Sequence, residues 1–403
     1  MSPDADALVV GGGPAGSVTA ALLARAGWHV VLAEAARFPR DKVCGECLSP
    51  GALDWLDALG LGERVVQEAG PALASVGWLD SRRELRAALP DGQGGRHRHG
   101  RALGRVRLDE LLLGEARALG VEVRQPARVL RVDGVPGDHR CELREAGRAT
   151  ALRIRVVVDA RGSRPGGEGP QRDDDLLAFK SRWRDAGPTA GHLPLLSFPG
   201  GYGGLVVAER GWTTFALCIG RARLRECRAR RPGLAAGAAL EAELRSHCPA
   251  LEAMLGGATR ATPWLAWGPV RPGIRAAAPG GPLRVGNAVG ECHPLVGEGI
   301  AMAIQSAALL ASRLVRHGPR AHAGRAAEAL RLDYARAWRA TFRARLLAAA
   351  ACGRTAMHPP LARPAGALLQ AWPALLAVAA RLAGKARPAL APRAAAGAAR
   401  GLA

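Results

Sequence analysis

The 403-residue sequence predicts an α/β protein with a parallel sheet, an inserted antiparallel sheet and a helical C-terminal extension. Three observations predict it. Two fully apolar runs near the N-terminus flank a glycine-rich turn, Gly11-Gly12-Gly13-Pro14-Ala15-Gly16. A second turn rich in glycine and proline, Gly286 to Gly299, closes another apolar run late in the chain. Between them, residues 176–270 replace continuous apolar runs with alternating ones, tryptophans and isolated Pro/Gly turns.

Asp6-Ala7-Leu8-Val9-Val10 is apolar after its first residue, the mark of a strand buried on both faces. The glycine turn follows, then a helix over Ser17–Ala26 that Gly27 stops. A second strand, His29–Ala33, runs into Glu34 and completes a βαβ unit. Ser49-Pro50 reads as an N-cap with proline at the first helical position, opening a helix to Leu59 before Gly60. From Ala69 to Gly100 short strand-like pieces and a Gly/Arg/His loop break the rhythm. A helix over Leu108–Leu119, a strand Val121–Val123 and an apolar strand Val156–Ala160 return to the first sheet. Strands such as Gly204–Val207 build the second, and a helix over Ile300–Leu314 follows the late turn. The division is 1–68, 101–175 and 273–320 for the first domain, 69–100 and 176–272 for the inserted one, and 321–403 for the extension.

Apolar residues make up 48% of the chain, enough for two cores, and no stretch is long enough to span a membrane. Eight cysteines without a signal peptide point to a reducing cytoplasm and free thiols. The net charge is +21, carried by arginine, since Lys42, Lys180 and Lys385 are the only lysines. From Ser312 onward sixteen basic residues face two acids, Glu328 and Asp333. Two readings fit that quarter. Arg313, Arg316, Arg320, Arg336, Arg339 and Arg343 form a solvated face, or, with Leu368, Leu369, Trp372, Leu375 and Leu376, they lie on an anionic membrane. No nucleic-acid-binding motif accompanies the charge, which excludes a nucleic-acid partner.

In Gly11-x-Gly13-x-x-Gly16 the first glycine permits the tight turn, the second admits a pyrophosphate and the third allows close helix–strand packing. Glu34 lies eighteen residues beyond Gly16, where an acid accepts ribose hydroxyls and disfavours a 2′-phosphate. FAD or NAD is therefore expected, not NADP. The second turn aims several backbone N–H groups at one point, which suits an electron-rich ring or an anion. Together the two turns imply a dinucleotide at one end and its redox ring at the other.

The N-terminal unit, Asp41-Lys42-Val43-Cys44-Gly45-Glu46-Cys47-Leu48-Ser49-Pro50, Arg105-x-x-Leu108-Asp109, Asp159-Ala160-Arg161-Gly162 and the run from Gly286 to Ile300 follow one another in a familiar order. Together they resemble FAD-dependent oxidoreductases of the geranylgeranyl reductase type, relatives of flavin halogenases and aromatic hydroxylases. The resemblance covers about residues 5 to 345 and is thin in the inserted domain. It implies a Rossmann-like FAD-binding domain carrying an antiparallel β-sheet substrate domain. FAD contacts are implied at Gly11, Gly13, Ala15, Gly16, Glu34, Cys44, Gly45, Arg105, Val129, Asn287, Pro294, Gly297, Gly299 and Ile300. Arg105 would pair with the pyrophosphate or ribityl chain, Val129 with adenine, and Gly297 to Gly299 with the flavin edge where charge develops. Asn287 departs from the family's usual aspartate, and Gly290 stands where ring hydroxylases carry histidine. The halogenases' Trp-x-Trp-x-Ile-Pro run is missing; Pro263-Trp264-Leu265-Ala266-Trp267 does not replace it.

Three residues are candidates for catalysis: Cys44, His293 and Tyr202. Cys44 and Cys47 lack the second ligand pair a zinc site needs, so no metal is expected; a flavin-facing cysteine, as the resemblance implies, a redox pair and inert packing remain. Glu291, His293 and Glu298 on the late turn could exchange protons. Tyr202, between glycine pairs, resembles the family's substrate-lining aromatic, and the tryptophans at 183, 212, 264 and 267 could wall an apolar pocket. The expected function is hydride transfer from FAD to a C=C bond of an apolar, prenyl or polyketide-like substrate, with NAD(P)H as a transient donor. The alternatives are a monooxygenase using O2 and an electron-transfer flavoprotein without its own small-molecule substrate.

Overall fold

The computed structural model describes residues 2–79, 84–92, 95–163, 172–275, 280–319 and 322–372, with 374, 375, 378 and 381. The apolar runs occupy the centre of a mixed sheet, as burial on both faces requires. Strand Ala5–Val10 lies between Val30–Ala33 and Arg148–Asp159, parallel to both. Glu122–Arg124 extends the parallel set on one side, and Leu283–Arg284 pairs with the end of Arg148–Asp159. Asp138–Glu145 and Ala127–Val135 add antiparallel strands, so the expected strand Val156–Ala160 is the end of a longer ribbon.

Helix Pro14–Arg25 begins three residues before the expected Ser17, because proline's fixed φ suits the first turn. Helix Arg105–Ala118 likewise starts at Arg105 and not at Leu108, which places Arg105 itself on the first turn.

The inserted domain is a second sheet in the order Thr259–Arg260, Leu176–Arg184, Thr213–Gly220, Gly201–Val207, His192–Phe198, Ser75–Leu79 and Glu84–Ala88. It is not wholly antiparallel. His192–Phe198 runs parallel to Ser75–Leu79, since more than a hundred residues, among them a whole segment of the first domain, lie between them and no hairpin constrains their direction. Helices Arg221–Arg230, Ala236–His247 and Pro249–Leu255 stand where the sequence reading expects strands and turns. They bury Leu224, Leu240 and Leu251 against Phe179, Phe215 and Leu217 of this sheet.

Helix Gly324–Met357 does not behave as an appendage. Leu330, Tyr334, Trp338, Phe342, Leu346 and Ala349, spaced at helical period, share one core with Val9, Val30 and Val158. Helix Pro359–Ala371 follows. Of the expected basic segment, Arg320, Leu376 and residues 382–403 lie outside the described residues. No helix among the described residues is long and apolar enough to cross a membrane.

Candidate active site

Two of the three motif glycines are dictated by packing. Gly11 adopts φ +108, and a Cβ there would meet the Ala160 carbonyl oxygen at 2.7 Å. A Cβ on Gly16 would stand 1.8 Å from the Gly11 oxygen. Gly13 differs. The nearest atoms to its Cβ direction are guanidinium nitrogens, Arg105 Nη2 at 3.8 Å and Arg40 Nη2 at 4.0 Å. The space above Gly13 is therefore open and roofed by cations, which fits a pyrophosphate.

Both arginines are held by Asp109, which is 1% exposed: Arg40 Nη1 donates to Oδ2 at 2.9 Å, and Arg105 Nε and Nη2 donate at 2.8 and 2.7 Å. Burial opposes the charge of Arg105, but Asp109 outweighs it and raises its pKa. Burial, then Arg40 and Arg105, lower the pKa of nearby Lys42. Three cations thus share this end of the site with two carboxylates, Asp109 and Glu34. The Glu34 carboxylate accepts the Gly12 N–H at 2.7 Å and the Ala36 N–H at 2.9 Å, so it shapes the turn as well as lining the cavity. Sequence reasoning missed Arg40; its only signal is its place beside the Asp41–Pro50 run.

The cavity above this turn has a volume of about 860 Å3. Gly13, Ala15, Glu34, Arg105 and Val129 border one end; Cys44, Gly45, Asn287, Pro294, Gly297, Gly299 and Ile300 border the middle. A Cβ on Gly45 or Gly299 would meet nothing within 4 Å, so both face open space. Gly297 takes φ +66, leaving the N-terminus of helix Gly299–His317 uncapped by any side chain. Much of the remaining lining is apolar, with Trp78, Leu193, Leu195, Leu217, Trp267 and Leu369 among it. Tyr202 stands there, 4% exposed, its hydroxyl 3.2 Å from His293 Nδ1 and the rings 5.3 Å apart. Cys218 and the Leu295 amide are its other polar neighbours. Burial, with Cys218, drives the tyrosine pKa well up; burial, then Arg354, lowers His293 to about 4.

Residues 4–165 match the family described as FAD binding domain. That segment is an FAD-binding domain. A menaquinone reductase of Mycolicibacterium smegmatis (strain ATCC 700084 / mc(2)155) is 46% identical over 82 residues, 20% of this chain and 17% of that protein. The match therefore spans less than a fifth of that relative's length. The flavin-dependent brominase Bmp2 superposes with a TM-score of 0.75 at 19% identity, covering 98% of both chains. A geranylgeranyl bacteriochlorophyll reductase-like protein of Thermoplasma acidophilum gives a TM-score of 0.68 at 18% identity, covering 88% of this chain and 87% of that one. At these identities the likeness is one of fold.

Within the FAD domain several expected roles change. Asn287 Nδ2 donates to Ser163 Oγ at 3.1 Å and to Glu291 Oε1 at 3.3 Å. Glu291 in turn holds Arg275 at 2.6 Å, so its carboxylate is a structural anchor and not a free proton carrier. Glu298, 1% exposed, accepts Ser49 Oγ at 3.3 Å and lies 3.9 Å from Arg345. Of the four expected wall tryptophans, Trp267 lines the cavity, while Trp183 is core, Trp264 packs on Phe215, and Trp212 lies beneath Arg182 and Arg184. Gly290 is explained by packing: a Cβ there would meet the Trp338 ring at 2.4 Å.

Cys44 lines the cavity, and its sulfur accepts the Glu46 N–H at 3.3 Å. None of the eight cysteines is in a disulfide. Glu46 sits at φ +59, a region costly for a side-chain-bearing residue. Lys180 Nζ, Thr214 Oγ1 and the Arg105 N–H hold its carboxylate there. Lys180 also binds Asp41. Nothing but the rarity of lysine marks this residue in the sequence.

Proposed function

We propose that this protein is an FAD-dependent reductase that saturates a carbon–carbon double bond in a long apolar, polyprenyl-type substrate. The observation that carries the reading is one continuous cavity that takes in both the cationic roof over Gly13 and an apolar chamber lined by Tyr202, whose hydroxyl contacts His293. The segmental similarity to a menaquinone reductase supports the same direction.

Bound FAD would supply the hydride, received beforehand from a nicotinamide donor in solution. Arg40, Lys42 and Arg105 would neutralise its pyrophosphate, and the open N–H groups at Gly297 to Gly299 would face the ring. Hydride addition to one alkene carbon leaves the neighbouring carbon needing a proton. Tyr202 is suited to give it: burial keeps its hydroxyl protonated, and the carbon it serves is far more basic than a phenolate. His293, neutral above about pH 4, fixes the hydroxyl's orientation through Nδ1. Apolar walls exclude water from the reacting carbons.

The test is anaerobic mixing of reduced holoprotein with a polyprenyl quinone, followed by flavin absorbance and product mass. Rapid reoxidation with a product two hydrogens heavier, the gain lying in the prenyl chain and persisting after any quinol is reoxidised in air, supports the reductase. A product that forms only with O2 and carries one of its oxygen atoms overturns it in favour of a monooxygenase. Reoxidation by artificial acceptors alone overturns it in favour of an electron carrier.

A further inference from the structure

We propose that the outer face of helices Gly324–Met357 and Pro359–Ala371 docks on an anionic lipid bilayer, and that the second helix is the door between bilayer and cavity. The docking stands apart from the chemistry; the door rests on the reading above that the substrate is a long apolar chain.

The first helix carries two faces. Its inner face is the core seam through Trp338 and Phe342. On the opposite face, exposed Arg336, Arg339, Arg343 and Arg354 recur at helical spacing with Leu332 (49% exposed) and Leu347 (60% exposed). Arg313, Arg331 and Arg345 each sit beside a carboxylate. The four on the outer face have no carboxylate partner among the described residues. A row of uncompensated guanidinium groups interleaved with leucines matches anionic headgroups over an apolar layer.

Apart from Arg363 and Gln370, whose side chains lie outside the described residues, the second helix is apolar from Pro359 to Ala371. Ala362, Ala365, Gly366 and Leu369 border the cavity. Leu361, Leu368 and Trp372 point outward, 50%, 47% and 61% exposed. A helix lying between a chamber and water would carry polar residues on its outer side; one lying between a chamber and lipid would not. This helix follows the arginine-bearing one directly in the chain and packs against it, and its exposed ridge ends in a tryptophan, a residue that an interface favours. Small residues on the inner side leave little to hold the helix down against the cavity. Since no described helix is a spanning one, the contact is peripheral.

The experiment is co-sedimentation of the full-chain holoprotein with vesicles of phosphatidylcholine alone or mixed with phosphatidylglycerol. Strong binding is expected only to the mixed vesicles, weakened by high salt. Reversing three charges together (Arg336→Glu, Arg339→Glu, Arg343→Glu) is expected to weaken it more than about a hundredfold, at roughly 1 kcal/mol per headgroup-facing arginine. Leu368→Ser with Trp372→Ser is expected to abolish the salt-resistant part. Retained FAD content and circular dichroism show that the variants fold. Failure to sediment with anionic vesicles, or sedimentation that both variants leave unchanged, overturns the proposal. So does a self-association that Trp372→Ser removes, because the face would then cover a second copy of the chain. Vesicle binding without turnover would sink the proposed reaction and leave the docking intact.

Discussion

Lys180, in the inserted sheet, donates through its ammonium to Glu46, in the loop that presents Cys44 to the cavity. The two are 1% and 0% exposed, and they couple elements 134 residues apart. Burial disfavours the lysine's charge, yet Glu46 and Asp41 outweigh it and raise its pKa. The inserted sheet thereby sets the position of the loop that carries Cys44.

Replacing Lys180 with methionine leaves the buried Glu46 uncompensated. The expected loss is about 3–5 kcal/mol of unfolding free energy, read by urea denaturation. Adding Glu46→Gln should recover part of it; strict additivity of the two losses would show that the pair is not coupled.

The roof over Gly13 predicts the energetics of cofactor binding. Arg40→Ala removes a charged donor worth about 1.5–3 kcal/mol, so FAD affinity should fall roughly 10- to 150-fold. Gly13→Val should fill the open space beneath the guanidinium groups and abolish binding while the apoprotein still folds. Fluorescence titration of apoprotein with FAD measures both.

Gly353 touches His293: a Cβ there would stand 2.2 Å from the imidazole. Gly353→Ala should displace the ring, lower stability by about 1–3 kcal/mol and slow turnover. Gly290→Ala should produce a similar loss through Trp338. Thermal unfolding checks both, and unchanged melting of either variant contradicts the packing described.

Tyr202→Phe keeps the ring and removes the proton. Turnover should fall about 10²- to 10⁴-fold with FAD affinity unchanged. Undiminished turnover would remove Tyr202 from the reaction.

Acid should destabilise the fold through two histidines. His293 and His322 are both lowered to about 4, chiefly by burial. Their unfolded forms bind a proton near pH 6.5, the folded forms only near 4, so the unfolded chain holds more protons between those values. Stability is therefore full above about pH 6.5 and falls as pH drops toward 4, by up to about 3 kcal/mol per histidine. His322→Phe, which keeps a ring against Trp28, should remove roughly half of this dependence in urea melts taken across that range.

The two glycine turns and the apolar strands beside them were legible because their physics is local. A positive φ, a tight approach or burial on both faces leaves its mark in a few neighbouring residues, as at Gly11, Gly16 and the buried strand residues Leu8 and Val9. Gly13, Ala15, Asn287, Pro294, Gly297, Gly299 and Ile300 on those turns accordingly border one cavity, while His293 and Glu298 are not among its lining residues. Other features were hidden. Trp264 and Trp267 look alike in sequence, yet one packs on Phe215 and the other faces the cavity. Glu291 looks like a proton carrier until Arg275 is found against it.

By itself the sequence determined the cofactor class, the order of the sheets and the place of each glycine turn, since these follow from backbone stereochemistry and the period of burial. Only the tertiary structure decided which charges are compensated and which are left open. Lys180 found Glu46, Arg40 came to share Asp109, and Arg336, Arg339 and Arg343 found no carboxylate among the described residues. Those outcomes depend on surfaces brought together from distant parts of the chain, and a buried charge is tolerated only where such a partner arrives.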